Sequence, residues 1–294
     1  PKTGARNVGM YRLQVVESQT LLVHWQRHKG GADHARRAQA ALQERIPAAV
    51  VLGGSPAAVW CASAPLPPEI DEYLLAGYLN GEAVEFVKCV SQPLEVPAQA
   101  EIVIEGYVDL ADMRPEGPFG DHTGYYTPVE SFPTFKVTAI THRADPIYPA
   151  TVVGIPPMED VWMGKATERL FLPLARLFLP EILDFCMPAE GVFHNLVLVR
   201  LQKRYPGHAR KVMHGLWGLG LLSLAKAIVV VDEWVDVQDY SQVAWQVLGN
   251  VDWKRDILLE EGALDQLDHA ASVSSYGGKI GIDATAKLPE EGYS

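Results

Sequence analysis

The sequence predicts a mixed α and β fold in two parts, a β-rich first half and an α/β second half. Three observations carry this. Tyr11, Leu13 and Val15 alternate with their neighbours, as do Leu21, Val23 and Trp25, which is the period of a half-buried strand. Val192–Leu201 and Ala227–Val231 are nearly continuous apolar runs, as strands covered on both faces require. Between the halves, Pro149–Pro157 holds three prolines and one glycine and reads as a boundary.

Taken in order, Ala48–Leu52, Val84–Val90, Glu101–Val108 and Phe135–His142 are short β-branched or aromatic runs. Turns at Gly53-Gly54, Pro65 to Pro68, Pro93 and Pro97 punctuate them, as in a barrel or sandwich. One helix is expected to interrupt these strands, Pro68–Leu79, with Pro68 at its start and Gly81 after its end. Past the boundary, Lys165–Phe185 has helical spacing. Its stripe is Leu170, Leu174, Leu177 and Phe178, and Pro173 and Pro180 are expected to kink or divide it. His208–Lys226 and Tyr240–Asn250 read as further helices, so strands alternate with helices here.

The 294 residues carry 25 Lys+Arg against 36 Asp+Glu, a formal net charge of −11, and 48% are hydrophobic. That composition suits a globular chain and argues against nucleic acid as partner, since phosphate neutralisation needs Lys and Arg. A small anionic ligand needs only a local positive site and stays open. Cys61, Cys89 and Cys186 are an odd set without a C-x-x-C pair, which predicts no disulfide framework and a reducing, cytoplasmic setting. Apolar stretches such as Leu170–Leu179 and Gly215–Leu224 are too short to cross a bilayer, and no signal peptide is visible. The chain begins Pro1-Lys2 rather than Met, as a processed or trimmed piece would.

The richest stretch is Arg114-Pro-Glu-Gly-Pro-Phe-Gly-Asp121-His-Thr-Gly-Tyr-Tyr126. Glu116 and Asp121 are separated by Gly117, Pro118 and Gly120, so a loop could turn both acids into one pocket, where a buried carboxyl can act as general acid. From the spacing alone, a solvated turn is the commoner reading. Arg12, in Asn7-Val-Gly-Met10-Tyr11-Arg12, offers a planar fork for a carboxylate or phosphate, although a lone Arg on a strand is usually a surface residue. Arg27-His28-Lys29-Gly-Gly31 and Asp71-Glu72-Tyr73 are weak signals taken singly. His122 reads as a structural hydrogen bonder with a place in a proton network as the sharper option, and His208 as a surface helix start that could meet an anion.

Together these stretches resemble the UbiD family of prenylated-flavin-dependent decarboxylases. The resemblance runs through Asn7–Arg12, Trp25-x-x-His-x-Gly-Gly, Pro67–Tyr73, Val87–Val90, Leu94–Pro97, Ala100–Val103, Pro115–Tyr126, Gly207–Ala209 and Gly281–Thr285. It implies a split β-barrel flavin-binding domain over residues 1–157, a linking helix region over 158–190 and a smaller α/β oligomerisation domain over 191–294. It implies prenylated FMN as cofactor, with Mn²⁺ or Mg²⁺ held by Asn7, His28 and Glu72 against the cofactor phosphate. Met10, Tyr11, Arg12 and Arg27 are the expected further cofactor contacts. Ser63, Ala64 and Pro65 match a loop touching cofactor and a potassium ion, and Lys226 a lysine near the phosphate. Arg12, Glu116 and Asp121 match the network around the reacting carbon. An amide oxygen, an imidazole and a carboxylate suit such hard-to-borderline cations.

The implied activity is a carboxy-lyase acting reversibly on an aromatic or α,β-unsaturated carboxylic acid, with Glu116 delivering a proton and Arg12 orienting carboxylates. The flavin takes the electron pair left as CO₂ departs, which no side chain accepts well. A flavin prenyltransferase would supply the cofactor, and a homodimer or a hexamer is the expected assembly. The family usually carries a further N-terminal domain before Asn7, so the chain reads as the flavin-binding core plus most of the C-terminal domain. A non-catalytic flavin-binding or assembly subunit, and a split-barrel flavin reductase using ordinary FMN, are the alternatives.

Overall fold

The computed structural model describes residues 6–67, 70–193 and 195–292. Two compact units emerge: the residues up to Phe119 with Tyr126–Val152, and Gly120–Tyr125 with Val153 onward.

The first unit opens with an antiparallel hairpin, β1 (Arg12–Glu17) and β2 (Thr20–His24), in which Arg12 pairs His24 and Leu13 pairs Val23. Helix α1 (Gly30–Ala40) and strand β3 (Arg45–Leu52) follow, then helices α2 (Pro56–Cys61) and α3 (Glu72–Asn80). Strands β4 (Phe86–Lys88) and β5 (Glu95–Pro97) pair with each other. Two long strands, β6 (Ile102–Glu116) and β9 (Glu130–His142), bracket the two-residue strands β7 (Phe119–Gly120) and β8 (Tyr126–Thr127). The main sheet is antiparallel in the order β1-β2-β9-β6-β3. Its edges are β1 and β3, and among the described residues no ladder joins them, so the sheet is open rather than a closed barrel. Edge position explains Pro47 within β3, since a missing N–H costs little there.

The alternation in β1 and β2 sends Tyr11, Leu13, Leu21, Val23 and Trp25 to one face. There they pack with Val108 and Phe135 and with Ala35 and Ala38 of α1. Arg12 and His24 consequently share the opposite face. Among its described residues the first unit holds three helices where the sequence suggested one. Helix α1 presents alanines rather than large apolar residues, and α2 has only six residues. Helix α3 starts at Glu72, not Pro68, because the Asp71 side chain accepts from Tyr73 N at 2.9 Å and caps it; Pro68 lies outside the described residues. Gly81, at φ 74°, ends it.

The second unit begins with α4 (Asp160–Phe178), followed by β10 (Ile182–Cys186), β11 (Leu196–Leu201), α5 (His208–Trp217), β12 (Ala227–Asp232), α6 (Tyr240–Asn250), β13 (Ile257–Ala263) and β14 (Tyr276–Asp283). Its sheet runs β10-β11-β12-β14-β13, with parallel pairs in the centre and antiparallel edges. Ile228 and Val230 point into one apolar cluster, and Val229 and Val231 into another, as strands buried on both faces should.

Three expected elements change here. The helix expected over Lys165–Phe185 ends at Phe178 with Pro173 inside it, and Ile182–Cys186 is a strand. The Leu170, Leu174, Leu177 and Phe178 stripe is exposed, while Gly164, Glu168 and Ala175 form the buried face. The run expected from Val192 becomes extended only at Leu196, because Val192 and Phe193 adopt positive φ. The helix expected over His208–Lys226 stops at Trp217, and a short 3₁₀ turn covers Gly220–Leu224.

Candidate functional site

Two clusters gather the expected site residues of the first unit. The polar face of the sheet carries the first. Glu116, the last residue of β6, is fully buried. Arg12 Nη2 donates to its Oε2 at 2.9 Å, and Arg12 Nε lies 2.8 Å from Oε1. The second contact is Coulombic only, because neither Arg12 Nε nor Glu116 Oε1 has an aligned hydrogen-bond partner. The guanidinium also lies 4.5 Å over the Phe119 ring and reaches Thr127 Oγ1 at 3.3 Å. Thr127 is fixed in turn by donating to Phe119 O at 3.0 Å. The loop after Glu116 is set by Gly117, at φ 93°, whose N–H donates to Gln14 Oε1 at 2.9 Å.

His24 completes this cluster, and no motif singled it out. It is buried, its Nδ1 lies 2.6 Å from Arg12 Nη2 and 3.3 Å from Glu116 Oε2, and its ring packs 4.2 Å from Phe132. Burial, and then the Arg12 charge, push its pKa below the usual histidine value; Glu116 and Glu130 oppose this. Centring the hairpin on Ser18 would have paired His24 with Arg12 from sequence alone.

The second cluster forms where the Asn7–Tyr11 segment meets the starts of α1 and α3. The Tyr11 hydroxyl accepts from Asn7 Nδ2 at 3.0 Å and from Gly31 N at 2.7 Å. Burial raises the Tyr11 pKa. A Cβ at Gly30 would lie 2.0 Å from Asn7 Oδ1, so only glycine allows this approach. Glu72 Oε2 accepts from Val8 N at 3.2 Å. Met10 N donates to Ala62 O at 3.2 Å, which ties the segment to the loop of Ser63, Ala64 and Pro65. Ser63 Oγ donates to Trp60 O at 2.8 Å. His28 and Arg27 are exposed in the turn before α1.

These residues fit a hard cation in part. Asn7 spends its amide N–H on Tyr11 and keeps Oδ1 for another partner. Burial pushes the Glu72 carboxyl above the usual carboxylate range, and Asp71 adds to this. A cation would relieve that cost. Among the described residues no group of three His, Cys, Asp or Glu converges, and the expected set supplies only two of those types. An open cleft of about 1660 Å³ in the first unit is lined by Asn7, Met10 and Tyr11, but not by Arg12, His24 or Glu116.

The remaining expected residues belong to the second unit. Asp121 accepts from Thr123 N at 2.8 Å and from Thr123 Oγ1, and His269 Nε2 lies 3.3 Å from its Oδ2. Lys226 pairs with Asp268 at 2.9 Å. His122 stacks on Phe193 at 6.0 Å. His208 is buried rather than at the surface: it accepts from Arg204 N, stacks on Tyr205 at 4.1 Å and lies 3.3 Å from Glu181. The three cysteines are free, and burial pushes the Cys61 thiol up to about 11. No helix among the described residues is long and apolar enough to cross a membrane.

An open antiparallel sheet carrying the Arg12–Glu116 pair, followed by a second unit with a mixed sheet, is a mixed α and β fold of the kind seen in UbiD-class structures. Residues 1–156 match the UbiD 3-octaprenyl-4-hydroxybenzoate carboxy-lyase Rift-related domain, and residues 161–284 the C-terminal domain of the same carboxy-lyase. The chain belongs to the UbiD family. It is 52% identical, over its whole length and 61% of the other chain, to an uncharacterized protein of Archaeoglobus fulgidus. An uncharacterized protein of Aquifex aeolicus is 54% identical over all of this chain and 60% of its own. Among solved structures, the UbiD-class enzyme HmfF from Pelotomaculum thermopropionicum in complex with FMN superposes with a TM-score of 0.86 at 30% identity, covering 100% of this chain and 65% of that one. Vanillic acid decarboxylase of Sedimentibacter hydroxybenzoicus gives 0.88 at 28%, covering 97% and 60%. The chain thus spans about three fifths of the length of the relatives it matches.

Proposed function

We propose that the chain is the flavin-binding and catalytic portion of a carboxy-lyase that uses prenylated FMN to decarboxylate an aromatic or α,β-unsaturated carboxylic acid reversibly. The observation that carries this is the buried Glu116 carboxyl. Its Oε2 is fastened by Arg12, and its Oε1 has no aligned donor. A carboxyl so held can keep a proton on one oxygen and deliver it to a carbon, as a general acid does. Arg12 keeps that oxygen aimed and offers charge to a substrate carboxylate. HmfF has been solved with FMN and, in an evolved dimeric form, with prenylated FMN, which supports the cofactor. When bound, the flavin supplies the electron sink for the departing CO₂.

In this reading the open sheet of the first unit is the split-barrel type of flavin-binding domain. Asn7, His28 and Glu72 would hold a divalent cation such as Mn²⁺ or Mg²⁺, which would offset negative charge at the cofactor phosphate, and the Ser63–Pro65 loop would contact the cofactor and a potassium ion.

The test is the full chain produced alongside a flavin prenyltransferase. Mass and absorbance of the extracted cofactor distinguish prenylated FMN from the plain FMN of a flavin reductase. A panel of phenolic, cinnamic and heteroaromatic acids, assayed for CO₂ release, then separates an enzyme from an assembly subunit. Loaded protein inert on every acid, in both directions, would sink the proposal.

A further inference from the structure

Histidine 24 sits where a third partner of the Arg12–Glu116 pair would be, and the geometry fixes its protonation. Arg12 Nη2 is 2.6 Å from His24 Nδ1. A guanidinium only donates, so Nδ1 must be the unprotonated acceptor and the ring proton must sit on Nε2. Nδ1 has one lone pair, and Arg12 takes it. The 3.3 Å approach of Nδ1 to Glu116 Oε2 therefore contains no proton from histidine. Neutral His24 anchors Arg12 Nη2, and the same nitrogen anchors Glu116 Oε2 at 2.9 Å.

We infer that His24 is a positioning residue of the UbiD-type site: as a neutral acceptor it holds the Arg12 guanidinium against Glu116, and its protonation uncouples the pair. This rests on the reading of Arg12 and Glu116 proposed above. A proton on Nδ1 evicts the Arg12 donor and sets an imidazolium beside a guanidinium. The new N–H faces Glu116 Oε2, 3.3 Å away, and competes with Arg12 for that oxygen.

The charged groups around the ring come from three strands. Arg12 on β1 disfavours the imidazolium, while Glu116 at the end of β6 and Glu130 at the start of β9 favour it. Glu116 and Glu130 are cross-strand partners. The Phe132 face and burial weigh with Arg12, and together they keep the ring neutral near pH 7. The cross-strand register of β1 and β2 delivers this contact, so it exists before any ligand binds.

The experiment reads the full chain by NMR, without flavin or substrate. Ring ¹⁵N shifts should show His24 as the Nε2–H tautomer at pH 7, with a midpoint below 6.5, the ordinary value. The protection factor of the Arg12 guanidinium protons, taken against their intrinsic base-catalysed exchange rate at each pH, should fall about tenfold or more as pH falls through that midpoint, the loss expected for a hydrogen bond to a charged group. His24→Asn, whose Oδ1 can occupy the acceptor position without titrating, should keep Arg12 protected and remove the pH step. His24→Leu should lose protection at every pH. A Nδ1–H tautomer at pH 7, a midpoint above 6.5, or an unchanged pH step in His24→Asn overturns the inference. Should His24→Leu fail to fold, the wild-type and His24→Asn titrations still decide. Where the panel yields a substrate, the acid limb of its pH–rate profile should vanish in His24→Asn. If no acid reacts, the functional reading fails while the NMR result stands by itself.

Discussion

Arg12 and His24 face each other directly across the β1–β2 hairpin, and one nitrogen of Arg12, Nη2, reaches both that histidine and the buried carboxyl of Glu116. A single atom that touches both partners makes the arrangement sensitive to the shape of the cation and not only to its charge. Arg12→Lys keeps the charge but loses the fork, and lysine at such a site is not a conservative change. Glu116→Gln keeps the shape but cannot pass a proton. Glu116→Gln should retain flavin and lower CO₂ release by about 10²–10⁴-fold, the usual worth of a general acid. Flavin content and turnover on the same preparation check this. Undiminished turnover in Glu116→Gln would remove its assigned role.

Gly30→Ala should disable the second cluster without replacing any polar side chain. The added methyl would stand 2.0 Å from Asn7 Oδ1, well inside van der Waals contact, so the amide must swing away and release Tyr11. The expected result is reduced Mn²⁺ and flavin content with unchanged far-UV circular dichroism. Gly278→Ala is the control, because nothing lies within 4 Å of its Cβ position. Equal cofactor content in both variants would refute the role given to the Asn7 amide.

Much of this was legible in the sequence, and the failures have physical causes. Alternation placed β1 and β2, and with them the opposite face that carries Arg12. Apolar runs placed β11 and β12. Helix α1 escaped because its buried residues are Gly31, Ala32, Ala35 and Ala38, too small to write an apolar stripe. The stripe of helix α4 does not mark its buried face, which is made of Gly164, Glu168 and Ala175. It packs through Gly164, where a Cβ would meet the Phe193 ring at 2.3 Å, while Leu170, Leu174 and Leu177 stay exposed. Strand β14 was missed because Gly277, Gly278 and Gly281 dilute its β signal, yet Gly281 is what lets Met213 of α5 lie against it. Of the site, the acids and Arg12 stood out by motif, whereas His24 required a register.

Chelation gives a prediction independent of any substitution. If a divalent cation joins Glu72 and Asn7 to a phosphate, prolonged treatment of loaded protein with EDTA should release flavin, and Mn²⁺ should restore its retention. Glu72→Gln should mimic the chelated state, because the amide keeps the size of the carboxylate but not its charge. Flavin fluorescence in the filtrate measures both. Full retention after the metal has been removed, verified by elemental analysis, would exclude the bridging role.

Lys279 sets a pH dependence that belongs to the second unit alone. It is only 6% exposed, and its ammonium donates to Ser223 O and, at 3.1 Å, to Ala225 O, with the Trp217 ring 5.7 Å away. Burial pushes its pKa down from 10.5 to about 8. Between those two values the unfolded chain holds a proton that the folded chain has lost. Stability therefore rises with pH across that window, by at most about 1.4 kcal/mol per pH unit from this group. Below about pH 8 both states are protonated and the slope disappears. Other lysines and tyrosines also titrate there, so the diagnostic quantity is the difference between wild type and Lys279→Met in urea unfolding from pH 7 to 10.5. The wild type should gain on the variant as pH rises. Parallel curves would mean that water reaches this ammonium in the folded protein.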